Sequence, residues 1–147
     1  MRVRNVLLLT TVVAVFLLIV VGAYVTAAGD GAACGTNIGT DWPLCQGNLL
    51  PPLQLAAIAE YMHRILASLS TLFLFVTTFL FWRAKGPEVS TKRLLYLSSV
   101  LIVLEILLGG AVVVQGLQDV LVTIHQANAL LIFGLTSAAA AVTFIRR

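Results

Sequence analysis

VLLLTTVVAVFLLIVVGAYVTAA, Val6 to Ala28, runs without a single charge and decides the fold. At ~1.5 Å per residue it is long enough, as a helix, to cross the ~30 Å of hydrocarbon in a bilayer. Three further stretches match it. Val120 to Ile145 is uncharged, Leu94 to Gln115 carries only Glu105, and Leu53 to Trp82 carries Glu60, His63 and Arg64 near its start and no charge from Ile65 onward. The composition agrees. Of 147 residues 60% are hydrophobic and 10% charged, against about 25% charged in a soluble domain. One core of a chain this short does not hide so much apolar surface. A soluble enzyme and a disordered chain are excluded. An all-α integral membrane protein is expected, with lipid as its surroundings and helices over about 5–28, 53–82, 94–115 and 120–145 in a single domain, 1–147.

The connections set the packing and the orientation. A polar, Gly- and Pro-rich loop covers 29–52, a basic loop 83–93, and only a tight turn 116–119. Short connections make consecutive helices antiparallel neighbours, so an antiparallel four-transmembrane-helix bundle is expected. Under this topology Arg2, Arg4, Arg83, Lys85, Lys92, Arg93, Arg146 and Arg147 share one side, and Arg64 alone lies elsewhere. The positive-inside rule then puts both termini and the 83–93 loop in the cytoplasm, with 29–52 and 116–119 outside a cell membrane. The first run exceeds the 7–15 apolar residues of a signal h-region, so it is expected to stay as a membrane helix and not to be cleaved. A net charge of +3 gives no argument for nucleic acid.

Polar groups inside hydrocarbon are costly and mark functional positions. Glu60-Tyr61-Met62-His63-Arg64 is the densest cluster. Glu60 and His63 share a helix face, and Arg64 is placed to pair with Glu60. The other histidine, His125, sits early in the fourth span at a depth similar to His63. Two imidazoles at one depth on different helices suit a haem iron held from both faces. Hydrogen bonds between helices and another metal, with Glu60 as a third ligand, are the alternatives. Glu105 lines a cofactor pocket or supports a helix contact. Gly109-Gly110 permits close helix approach or makes room for a flat macrocycle. Cys34 and Cys45, with ten residues between them, stand in an oxidising compartment that favours a disulfide over two free thiols. Trp42 is placed to anchor the loop at headgroup level.

Six motifs carry a resemblance: Gly22-Ala-Tyr-Val25, Asp41-Trp-Pro-Leu-Cys45-Gln-Gly47, Pro51-Pro52, Glu60-Tyr-Met-His63-Arg64, Leu107-Leu-Gly109 and His125-Gln-Ala127. In this order the chain resembles one half of the heme A synthase family. The resemblance implies oxidation of a haem O methyl group to a formyl group, giving haem A for terminal oxidases. It implies His63 and His125 as axial ligands of haem iron, Glu60 as the catalytic carboxylate, and Cys34–Cys45 as a disulfide linked to electron or haem handling. Arg64 then neutralises Glu60 or a haem propionate. Haem b as cofactor, haem O as substrate, and a haem O synthase or a terminal oxidase assembly as partners belong to the same implication. Family members usually have eight helices in two such halves. One histidine pair offers one haem site, so a homo-oligomer is expected, or an external electron acceptor serving one site. A bis-histidine b-type cytochrome with no chemistry on its haem, and a purely structural bundle, are the competing functions.

Overall fold

The computed structural model describes residues 3–86 and 89–145. Arg2, Arg146 and Arg147, which enter the orientation argument, lie outside them. Four helices account for most of the chain: α1 Val3–Ala28, α2 Leu55–Arg83, α3 Val89–Val114 and α4 Asp119–Ile145. Each is long and apolar enough to cross a membrane. At most 28% of the most apolar stretch of any helix is buried inside the protein. So much outward apolar surface is stable only in lipid, and the chain is a multi-pass all-α membrane bundle.

The helices close a ring. α1 packs on α2 and α4, and α3 packs on α2 and α4, while the backbones of α1 and α3, and of α2 and α4, face each other across the ring without close approach. The core of the ring is Leu8, Val15, Leu74, Phe81, Leu95, Ile102, Ile132 and Ala139. Between helices in lipid, packing and hydrogen bonds replace the hydrophobic drive, and each seam carries a polar contact. Thr11 and Thr77 hydroxyls meet at 2.9 Å across α1 and α2, and Thr78 and Ser99 at 2.9 Å across α2 and α3. Asn128 donates to Glu105 at 2.6 Å across α3 and α4, and Gln126 to Thr26 at 3.4 Å across α4 and α1.

Two boundaries differ from the sequence expectation. α3 begins at Val89, five residues before Leu94, and takes in Thr91, Lys92 and Arg93. Charge bars these residues from hydrocarbon but not from a helix. Lys92 turns its ammonium back to the carbonyl of Ala84 at 3.2 Å, and Thr91 is buried. α2 begins at Leu55, because Gln54 is extended and donates its N–H to Pro52. Of the phenylalanines on α2, Phe81 is core and Phe79 is exposed. Gly109 faces a neighbouring helix, but a Cβ at Gly110 would meet nothing, so the pair does not act as a unit.

Candidate functional site

The loop between α1 and α2 is fastened to the first turns of α2. Cys34 and Cys45 form a disulfide, and both are fully buried against Ala57. Four residues along an α-helix return a side chain to the same face, so Glu60 and Arg64 point together under this loop. Glu60 is 3% exposed. Its Oε2 accepts the N–H of Cys34 at 2.7 Å, and its Oε1 pairs with the Arg64 guanidinium. Arg64 also donates to the carbonyls of Asp41 and Leu44. Tyr61 donates its hydroxyl to the carbonyl of Leu49. The carboxylate and guanidinium thus satisfy loop backbone groups that a buried loop would otherwise leave unpaired.

Asp41 shapes the loop from its exposed side. Its carboxylate accepts the backbone N–H of Asn37 at 3.1 Å and the Asn37 side-chain amide at 2.9 Å. The Asn37 backbone bond is the largest cause that holds the Asp41 carboxyl below its ordinary 3.8. A lowered pKa means that the folded loop prefers the ionised form. Its contribution is complete above 3.8 and is lost as pH falls through the lowered value. Amide resonances of Asn37 should therefore titrate with a midpoint below 3.8. A midpoint at or above that value would show that these bonds do not form in solution.

Both histidines lie near helix starts. His63 is about 12 Å along α2 and His125 about 9 Å along α4 by the helical rise. These starts share one end of the bundle, since Gly31 in the long loop packs on Leu117 in the α3–α4 turn. His63 lies on α1 at Gly22, where a Cβ would stand 2.8 Å from Cε1 and 3.2 Å from Nδ1. His125 lies on α3 at Gly109, where a Cβ would stand 3.3 Å from Cε1. The Nδ1 atoms of both rings are buried and lack an aligned hydrogen bond, although His125 Nδ1 is 3.0 Å from Glu105 Oε1. Replacing Gly22 with alanine forces the His63 ring aside, so overpacking should cost about 1–3 kcal/mol. Thermal unfolding in detergent measures this, and an unchanged melting temperature would mean that the ring is not seated there.

Two imidazoles, each lodged against a glycine of a neighbouring helix and carried by helices whose backbones do not approach closely, fit an iron porphyrin better than a bare metal ion. A structural zinc wants four protein ligands, and among the described residues no group of three or more His, Cys, Asp or Glu side chains is placed to hold a metal ion. A porphyrin brings four nitrogens and needs only the axial pair. The cavity among Leu18, Ile102, Glu105 and Ile132 has about 10 Å³ of room, enough for about one water.

The structure gathers Cys34, Cys45, Glu60 and Arg64 into one buried cluster and sets His63 one turn below it. His125 belongs to a second group with Glu105 and Asn128. Sequence reasoning misses the Asp41 and Leu44 carbonyls as partners of Arg64. Gly22 is visible as a motif, but not as the seat of His63.

Residues 53–146 match the family model COX15-CtaA, described as cytochrome oxidase assembly protein. Three relatives, each named heme A synthase, illustrate the similarity. The protein of Bacillus licheniformis is 35% identical over 126 residues, covering 86% of this chain and 40% of its own. That of Geobacillus thermodenitrificans is 34% identical over 125 residues, covering 84% and 38%. That of Symbiobacterium thermophilum is 35% identical over 121 residues, covering 82% and 38%. The chain thus spans about two fifths of the length of the curated relatives it matches. No solved structure matches it. With the family match covering all of α2, α3 and α4, the chain belongs to the COX15-CtaA cytochrome oxidase assembly protein family.

Proposed function

We propose that this chain takes part in heme A synthesis, oxidising a methyl substituent of haem O to a formyl group. The name shared by its relatives gives the reaction. The observation that carries the reading is the buried Glu60–Arg64 pair under the disulfide loop, one helical turn from His63. With its oxygen drawn from water, methyl to formyl releases four protons and four electrons, so the site needs a proton acceptor, and the electrons leave to an acceptor in the membrane. Glu60 is the carboxylate placed to take a proton or to stabilise positive charge growing at the oxidised carbon. Arg64 holds Glu60 in place and fixes the loop above it. His63 and His125 hold the haem iron, and a bound haem supplies one-electron redox chemistry.

In this reading the loop 29–52 and the turn 116–119 are extracytoplasmic, the termini and the 83–93 loop are cytoplasmic, and the haem lies in the outer half of the membrane. The histidine pair holds one haem, haem b or substrate haem O, and a homo-oligomer brings such sites together. A haem O synthase and a terminal oxidase assembly are the proposed partners upstream and downstream.

A bis-histidine cytochrome is the competing reading, favoured by the engagement of both Glu60 oxygens with Arg64 and Cys34. Co-expression with a haem O producer, followed by chromatography of the extracted haem, separates the two. Haem A or its hydroxylated intermediate is expected; haem O recovered unaltered with a bound-haem spectrum would leave the cytochrome.

A further inference from the structure

The two histidines are held differently. His63 packs on Gly22; its buried Nδ1 has no aligned hydrogen bond, and the group set against this ring is the Leu18 backbone. His125 has a carboxylate behind it: Glu105 Oε1 stands 3.0 Å from Nδ1. Glu105 is itself held. Its Oε2 accepts from Asn128 Nδ2 at 2.6 Å, and the same nitrogen reaches the carbonyl of Leu101 at 3.1 Å. Glu105 and Asn128 are 7% and 9% exposed. His125 and Asn128, three residues apart on α4, share a face, as do Leu101 and Glu105, four apart on α3. The chain of contacts Leu101–Asn128–Glu105–His125 thus crosses one helix seam within two turns.

We propose that Glu105 is a positioning residue for His125: it accepts the Nδ1 proton and leaves the Nε2 lone pair as the ligand for haem iron, while Asn128 fixes the carboxylate. This rests on the haem-binding reading above. Histidine ligands commonly donate their second ring N–H to a carboxylate, which sets the tautomer and raises ligand basicity. In the structure the Nδ1 contact is close but not in line, so the proposed bond requires the ring to turn about χ2. Gly109 permits that turn, because a Cβ there would crowd Cε1 at 3.3 Å and Nε2 at 3.7 Å. The result is an asymmetric pair of ligands, a strongly donating His125 backed by a carboxylate opposite a His63 set against the Leu18 backbone. A more basic ligand favours ferric over ferrous iron, so Glu105 lowers the reduction potential of the bound haem.

Two measurements on the full-length protein in detergent test this. In protein labelled with 15N-histidine and free of haem, His125 is expected to carry its proton on Nδ1, and Glu105→Leu is expected to abolish that preference. A proton found on Nε2 in the unaltered protein overturns the proposal, because the ligating nitrogen would then be blocked. In protein loaded with haem b, Glu105→Gln keeps the side-chain shape. It is expected to raise the midpoint potential and shift the low-spin electron paramagnetic resonance signal. Glu105→Leu should do the same and weaken haem binding by roughly 10–100-fold. Ser99→Ala, which removes a polar contact elsewhere on α3, should move neither the potential nor the signal. An unaltered potential and spectrum in Glu105→Gln overturns the role of Glu105 while haem binding stands. Failure of the unaltered protein to bind haem b at all overturns the haem reading and this inference with it.

Discussion

Alanine at His63 or at His125 is expected to abolish the low-spin haem spectrum of the purified protein. Each ring is the only imidazole on its helix, and the backbones of the two helices do not approach closely. Losing an outer-shell partner of a metal ligand costs roughly 10–100-fold in affinity; losing the ligand itself should cost more. The fold should survive. The core of Leu8, Leu74, Leu95 and Ile132 and the threonine and serine contacts at the seams do not involve either ring, so circular dichroism should be unchanged. The two variants should differ in degree, because His125 is part of the Glu105–Asn128 network and His63 is not. Absorption spectra of both variants that match the unaltered protein would remove the ligand assignment.

Glu60→Ala should leave haem bound and stop its conversion. The substitution also strips the acceptor from the N–H of Cys34 and the counter-charge from Arg64. Breaking a buried ion pair by removing one member costs about 3–5 kcal/mol, and Arg64, partly open to solvent at 13%, should recover part of that. The loop should therefore loosen, and the Cys34–Cys45 disulfide should be reduced faster by added thiol. Glu60→Gln separates the two roles. Its amide oxygen can still accept from Cys34, so the loop should stay docked, while a side chain that no longer takes a proton should remain inactive. Full conversion of haem O by Glu60→Gln would show that the carboxylate serves the loop alone.

Much of this architecture is legible in the order of residues alone. The uncharged runs mark the four helices, because an apolar stretch of such length has few alternatives. Cys34 and Cys45 stand out as a pair for want of any other cysteine. Spacing along one helix foretells the Glu60–Arg64 contact. What stays hidden lies between helices. Nothing in the linear chain says that α4 turns Asn128 toward Glu105, since the rotation of each helix about its axis is set by packing around the whole ring. Read along the chain, Glu105 is a costly charge with no settled role; the role emerges only with α3 and α4 side by side. The start of α3 escapes for another reason. Lys92 and Arg93 mark where hydrocarbon ends, and a helix does not have to end there.

Each of the four seams of the ring is pinned by at least one polar contact, and the diagonal from α2 to α4 by none among the described residues. The bundle is in this sense a four-sided frame with no polar strut along that diagonal. A flat, rigid plate bolted to His63 at one corner and His125 at the other would be its cross-brace. Occupancy should then be felt far from the iron. The loaded protein should melt higher than the empty one, by about 2.7 kcal/mol of added stability at a free haem concentration about one hundred times the dissociation constant. The proteolysis and hydrogen exchange of α2 and α4 should slow together, as those of two posts joined by one beam.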